Sequence, residues 1–77
     1  MDAAQRLSAF EQFAREDIKT VRKEGAMSIT ESIFGAVHLT LDGGIVHASI
    51  PKYGWNVSGP DDEIVKFLTQ VYRIIEE

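Results

Sequence analysis

The chain has no cysteine in its 77 residues, so neither a disulfide nor a thiolate-bound metal can reinforce it. No apolar run approaches the ~20 residues needed to cross a membrane. Bases are scarce: eight Lys and Arg stand against twelve Asp and Glu, a net charge of −4. Phosphate backbones are gripped by clustered bases, so direct nucleic-acid binding is not expected. Missing as well are a nucleophile elbow, a G-x-x-x-x-G-K loop and any metal-ligand spacing. A chain this short also lacks volume for a pocket of ~300 Å3 or more, except at a dimer interface. We therefore expect no enzyme, no cofactor and no metal.

What is present is an ordinary globular composition, 44% apolar and 26% charged. That predicts one small domain over residues 1–77. The charge is uneven. Residues 1–25 are neutral, 26–59 carry −1 and 60–77 carry −3. No apolar leader follows Met1, and a cytoplasmic location is the expectation.

The clearest signal lies between Val37 and Ile50, where two strictly alternating runs flank Asp42-Gly43-Gly44. This pattern predicts an antiparallel hairpin. The turn is centred on Asp42-Gly43 or on Gly43-Gly44. Either choice puts Val37, Leu39 and Leu41 on the face of Val46, Ala48 and Ile50. Ala36, His38 and Thr40 then share the other face with Ile45, His47 and Ser49. A one-residue slip would set Leu39 against His47 and undo the sorting.

Helices are predicted on both sides of this ribbon. Ala3, Leu7, Phe10, Ala14, Ile18 and Val21 form one stripe from about Ala3 to Glu24, with Asp2 as N-cap and Gly25 as terminator. Pro60 and the acids Asp61, Asp62 and Glu63 announce a last helix. Its inner stripe is Ile64, Phe67, Leu68, Val71 and Ile75. Before the hairpin, odd positions Ile29 and Ile33 continue the inner face, with a strand from about Ile33 and Ser28–Ser32 extending it or entering it as an irregular edge. Gly35 suggests a bulge, a bend or the close approach of another backbone. After Pro51, Tyr53, Trp55 and Val57 alternate as a short third strand or an ordered loop. The whole is expected to be α+β: a two-layer sandwich ordered helix, two or three antiparallel strands, helix, with both helices on one face of the sheet.

Four groups are candidates for function. Lys52, Tyr53, Trp55 and Asn56 have the composition of an interaction hot spot, and Asp61, Asp62 and Glu63 would add acidic contacts for a basic partner. The apolar arc of the last helix is wider than one sheet contact requires. Val65, Tyr72 and Ile74, with Phe13, are the expected dimer interface. His38 and His47 share the ribbon's outer face as a ligand-binding or pH-sensitive pair. Zinc would need further ligands, and no acid lies at ribbon spacing there.

The reading that follows is a non-catalytic, acidic protein-binding module, homodimeric, that docks on a basic surface of another protein. Such tiny, cysteine-free, acidic chains are common among phage and mobile-element inhibitors of host defences, such as anti-CRISPR proteins, and an inhibitory role of that kind is expected. The alternative is a small-molecule or nucleotide binder walled by Tyr53, Trp55, His38 and His47, within one chain or across a dimer.

Overall fold

The structure, a computed structural model, describes residues 2–32 and 34–76, with the side chain of residue 76 not described. Helix α1 spans Ala3–Glu24 and is followed by strands β1 (Ser28–Ser32), β2 (Gly35–Asp42), β3 (Ile45–Ile50) and β4 (Trp55–Gly59). Helix α2, Asp61–Glu76, completes the chain's elements. The strands form one antiparallel meander in the order β1-β2-β3-β4.

α1 starts and stops where its end signals stand. The Asp2 carboxylate accepts the Gln5 N–H at 2.8 Å, and the Gln5 side chain accepts the Asp2 N–H at 3.1 Å. At the far end Gly25 takes a left-handed conformation, φ 65°, and its N–H donates to the Val21 carbonyl. Ala14, Ile18 and Val21 are buried, and Leu7 and Phe10 pack against them, while Ala3 is exposed.

The central hairpin adopts the Gly43-Gly44 turn. Leu41 pairs with Val46 and Leu39 with Ala48. Gly43 and Gly44 have φ of 57° and 83°, both positive, as the favoured two-residue hairpin turn requires. Val37, Leu39, Val46, Ala48 and Ile50 are buried on one face. They join residues from both helices in a single cluster, and α1 packs along α2, so the helices share that face.

Ser28–Ser32 is a strand in its own right, the fourth of the sheet, and it forms a second tight hairpin with β2. Ser32 pairs with Gly35 and Ile29 with His38. The Ser32 hydroxyl accepts the Phe34 N–H and donates to the Gly35 carbonyl, and Gly35 leaves the turn at φ 84°. A two-residue turn exchanges odd for even positions between its arms. Thr30, not Ile29, therefore shares the inner face with Val37, and Ile29 points outward, contrary to the alternation carried through from β2. Ile33, assigned by that alternation to the inner face, lies outside the described residues.

Phe34 is wholly buried. Its ring meets Phe10 edge-on at 5.1 Å and Tyr72 at 6.0 Å, while Phe10 stacks on Tyr72 at 4.8 Å. This three-ring cluster joins the β1–β2 turn to both helices. It also accounts for the wide apolar arc of α2. One part of that arc covers the sheet, and Val65 and Tyr72 face α1 instead. Val65 is 2% exposed and Tyr72 7%, so these two belong to the chain's own core and not to a dimer surface. Phe13 and Ile74 stay exposed.

Candidate functional site

Two helices on one face leave the other face of a four-stranded sheet open to solvent. Its cross-strand rows follow from the register. One row runs Ile29, His38, Ser49, Asn56 across all four strands, and the next runs Thr40, His47, Ser58. Met27, just before β1, borders the second row. Asp42 and Ile45 form a third row at the Gly43-Gly44 end, and Glu31 with Ala36 a fourth at the opposite end.

His38, Thr40, His47, Ser49, Asn56 and Ser58 line an open hollow of about 380 Å3. Together they offer two imidazoles, three hydroxyls and one carboxamide, each able to donate and accept. Among the described residues, none of the six makes a side-chain hydrogen bond within the chain. Elsewhere the buried polar side chains are satisfied, as where Thr30 donates to Asp17 beneath β1. The outer face therefore holds uncommitted hydrogen-bonding groups, with Met27, Ile29 and Ile45 as exposed apolar residues around them.

The face is poor in charge. The four strands contain no lysine or arginine, and their acids are Glu31 and Asp42, near opposite ends of β2. His38 lies diagonal to His47, because the Gly43-Gly44 turn sets it opposite Ser49. Glu31 shares their face, because the β1–β2 register sets it opposite Ala36, so an acid does lie on that face, contrary to expectation. Among the described residues, no group of three or more His, Asp or Glu is placed to hold a metal ion.

Of the residues singled out as a partner-binding patch, Lys52, Tyr53 and Trp55 come together, while Asn56 and the three acids lie apart from them. Lys52 and Tyr53 sit in a short 3-10 turn, Pro51–Tyr53, and Tyr53 stacks on Trp55 at 4.9 Å with the Lys52 ammonium 5.5 Å from its ring centre. Trp55 pairs with Ile50, which puts it on the helix-covered side, half-buried at the margin of the core. Asn56 is on the open face. Trp55 is thus across the sheet from His38 and His47, and within one chain these residues do not wall a common pocket with Tyr53.

Asp61, Asp62 and Glu63 stand at the other end of β4 from the aromatic pair. Asp61 meets Arg22 at 3.1 Å and Asp62 meets Arg15 at 3.2 Å, so both have partners on α1. Glu11 also binds Arg15, at 3.1 Å, and the hydrogen bonds that Arg15 donates to Glu11 and then to Asp62 push its pKa further above the ordinary value. Glu63 is exposed, with its carboxylate beside Gly59. Asp61 and Asp62 therefore fasten α2 to α1, and all three first-turn acids complement the helix dipole.

The residues that sequence reasoning placed on the wetter face but did not single out are Thr40, Ser49 and Ile45. Ile29, Met27 and Ser58 it missed as parts of this surface. A signal for them existed: once Ser32–Gly35 is taken as a turn, parity sends Ile29 and Glu31 outward. Comparison with protein-family models, with curated proteins and with solved structures finds no match.

Proposed function

We propose that the chain is a non-catalytic protein-binding module that docks through the open face of its sheet. The observation that carries this reading is the six-residue field of uncommitted hydrogen-bonding side chains, bordered by Met27, Ile29 and Ile45. An apolar and hydrogen-bonding surface of this kind suits a protein partner. The only strand charges are the two carboxylates, and the chain carries −4 overall, so the partner's surface is basic around its rim. Docking that covers a basic functional surface is inhibition by occlusion, the mode of phage-type anti-defence proteins, exercised in the cytoplasm by a homodimer.

Binding is favoured over turnover because the imidazoles have no orienting carboxylate in their rows and no hydrogen bond to the hydroxyls opposite them. Nucleic acid is disfavoured by strands without a base. The test is affinity capture from lysate of the cells in which the chain acts, using wild type, His47→Arg and Ile74→Ser in parallel. His47 is exposed at the centre of the face, whereas Ile74 is exposed on α2. A protein held by wild type and Ile74→Ser but lost with His47→Arg supports the reading. Equal retention by all three, or no retained protein, overturns it.

A further inference from the structure

We propose that the free edge of β1 is a two-fold interface at which a second copy of this chain pairs antiparallel, with Ile29 on the axis. β1 and β4 are the two edges of the sheet. An edge presents unpaired N–H and C=O groups and invites another strand unless something blocks it. β4 is guarded, with Pro51 and Pro60 close to its two ends and α2 following directly. β1 has no such guard: the stretch from Gly25 to Ser32 holds neither proline nor lysine.

Exposed apolar side chains lie on both sides of that edge. Met27 is 58% and Ile29 57% exposed on the open face, and on the helix side Phe13 is 44% exposed beside Thr30 and Ser32. No other part of the described molecule has exposed apolar residues on both faces of a strand edge.

Facing and charge then choose the register and the occupant. Antiparallel partners must share a face, so a two-fold axis passes through a residue of β1 and not between two. With Ile29 on the axis, it meets its own counterpart as an apolar pair, and Met27 of each copy faces Glu31 of the other. The two Glu31 carboxylates are then four residues apart along the strands, roughly 13 Å, beyond the Debye length of about 8 Å at physiological salt. With Thr30 on the axis, both isoleucines would face glutamates, and the glutamates would be separated by only two residues. Of these two registers, the one centred on Ile29 keeps the like charges farther apart and joins the two isoleucines. Such pairing uses the same edge of both copies and closes on itself, so it stops at the dimer. It would join the two open faces into one eight-stranded platform. The proposal does not rest on the docking reading, and its test needs no partner protein.

The absence of cysteine makes that test clean. Light scattering at submillimolar concentration should give wild type a mass about twice the 8.6 kDa of the chain. Ile29→Lys should halve it while leaving the circular dichroism spectrum unchanged, because Ile29 is exposed in the single chain. Under mild oxidation Ile29→Cys should cross-link into a covalent dimer, and Ile74→Cys on α2 should not. A monomeric wild type, a dimer indifferent to Ile29→Lys, or cross-linking at position 74 in place of 29 would each overturn the proposal.

Discussion

Phe34 sits wholly buried in the turn between β1 and β2, where a turn residue is ordinarily solvated. The short link between β1 and β2 turns this ring edge-on against the stacked pair of Phe10 and Tyr72. Phe34→Ala should therefore cost about 3–5 kcal/mol, a large part of the stability of a small domain. Urea unfolding followed by circular dichroism would show it as a lowered midpoint. A loss below ~1 kcal/mol would mean that the cavity collapses and the ring holds nothing together. Thr30 and Asp17 make a second local device. Thr30 is the buried polar residue of the core face, and its hydroxyl donates to a carboxylate on α1. Asp17→Ala leaves that hydroxyl unpaired and should cost about 1–3 kcal/mol. Adding Thr30→Val should recover part of the loss, because the orphaned group is gone. A double-mutant cycle in urea reads this coupling, and strictly additive losses would mean that the bond contributes no net stability.

The hairpins show why some of this architecture was legible in the sequence and some was not. Asp42-Gly43-Gly44 between two alternating runs carries its own turn chemistry, and the face sorting of β2 and β3 followed from it. α1 was equally plain, since Asp2, Gly25 and a regular apolar stripe all agree. The β1–β2 turn has no glycine pair and places a phenylalanine at its corner. Its strand β1, S-I-T-E-S, buries only a threonine, because its single isoleucine faces out. A strand whose apolar residue is on the wet side gives no periodicity to follow, so the place of β1 in the sheet and its side of the open face were hidden. The α2 arc misled for the opposite reason: its width reflects two neighbours within one chain, not a missing partner. Turn chemistry gives a direct check on the legible hairpin. Gly44 has φ 83°, which a β-branched side chain resists, so Gly44→Val should destabilise by at least ~1–2 kcal/mol. Gly43→Asn should be nearly neutral, because asparagine tolerates φ near 57° and Asn-Gly is a favoured turn pair. Thermal melts of the two variants distinguish them, and equal losses would argue against this turn.

Taken as one body, the chain keeps its positive charge on the two helices and at Lys52 in the turn after β3, and its open sheet free of it. Arg15 and Arg22 are tied to Asp62 and Asp61 across the helix pair, Lys19 lies near Glu16, and the strands supply only Glu31 and Asp42. A partner approaching the sheet therefore meets a weak negative field first and hydrogen-bonding groups only on contact. These two contributions separate kinetically. On the docking proposal, long-range charge would govern the encounter, whereas side-chain hydrogen bonds and Met27, Ile29 and Ile45 would govern how long the complex lasts. Raising salt from about 0.01 M to 0.15 M shortens the Debye length from roughly 30 Å to 8 Å. The association rate with a captured partner should fall several-fold over that range while the dissociation rate stays nearly constant. Replacing both acids, Glu31→Gln with Asp42→Asn, should flatten the salt dependence of association. Conversely, His47→Ala should speed dissociation with little effect on association, since it removes short-range contacts and no formal carboxylate. Surface plasmon resonance at graded ionic strength measures both rates. A dissociation rate that rises with salt, or an association rate indifferent to it, would place the charge inside the contact or make it irrelevant, and the division of labour between rim and face would not hold.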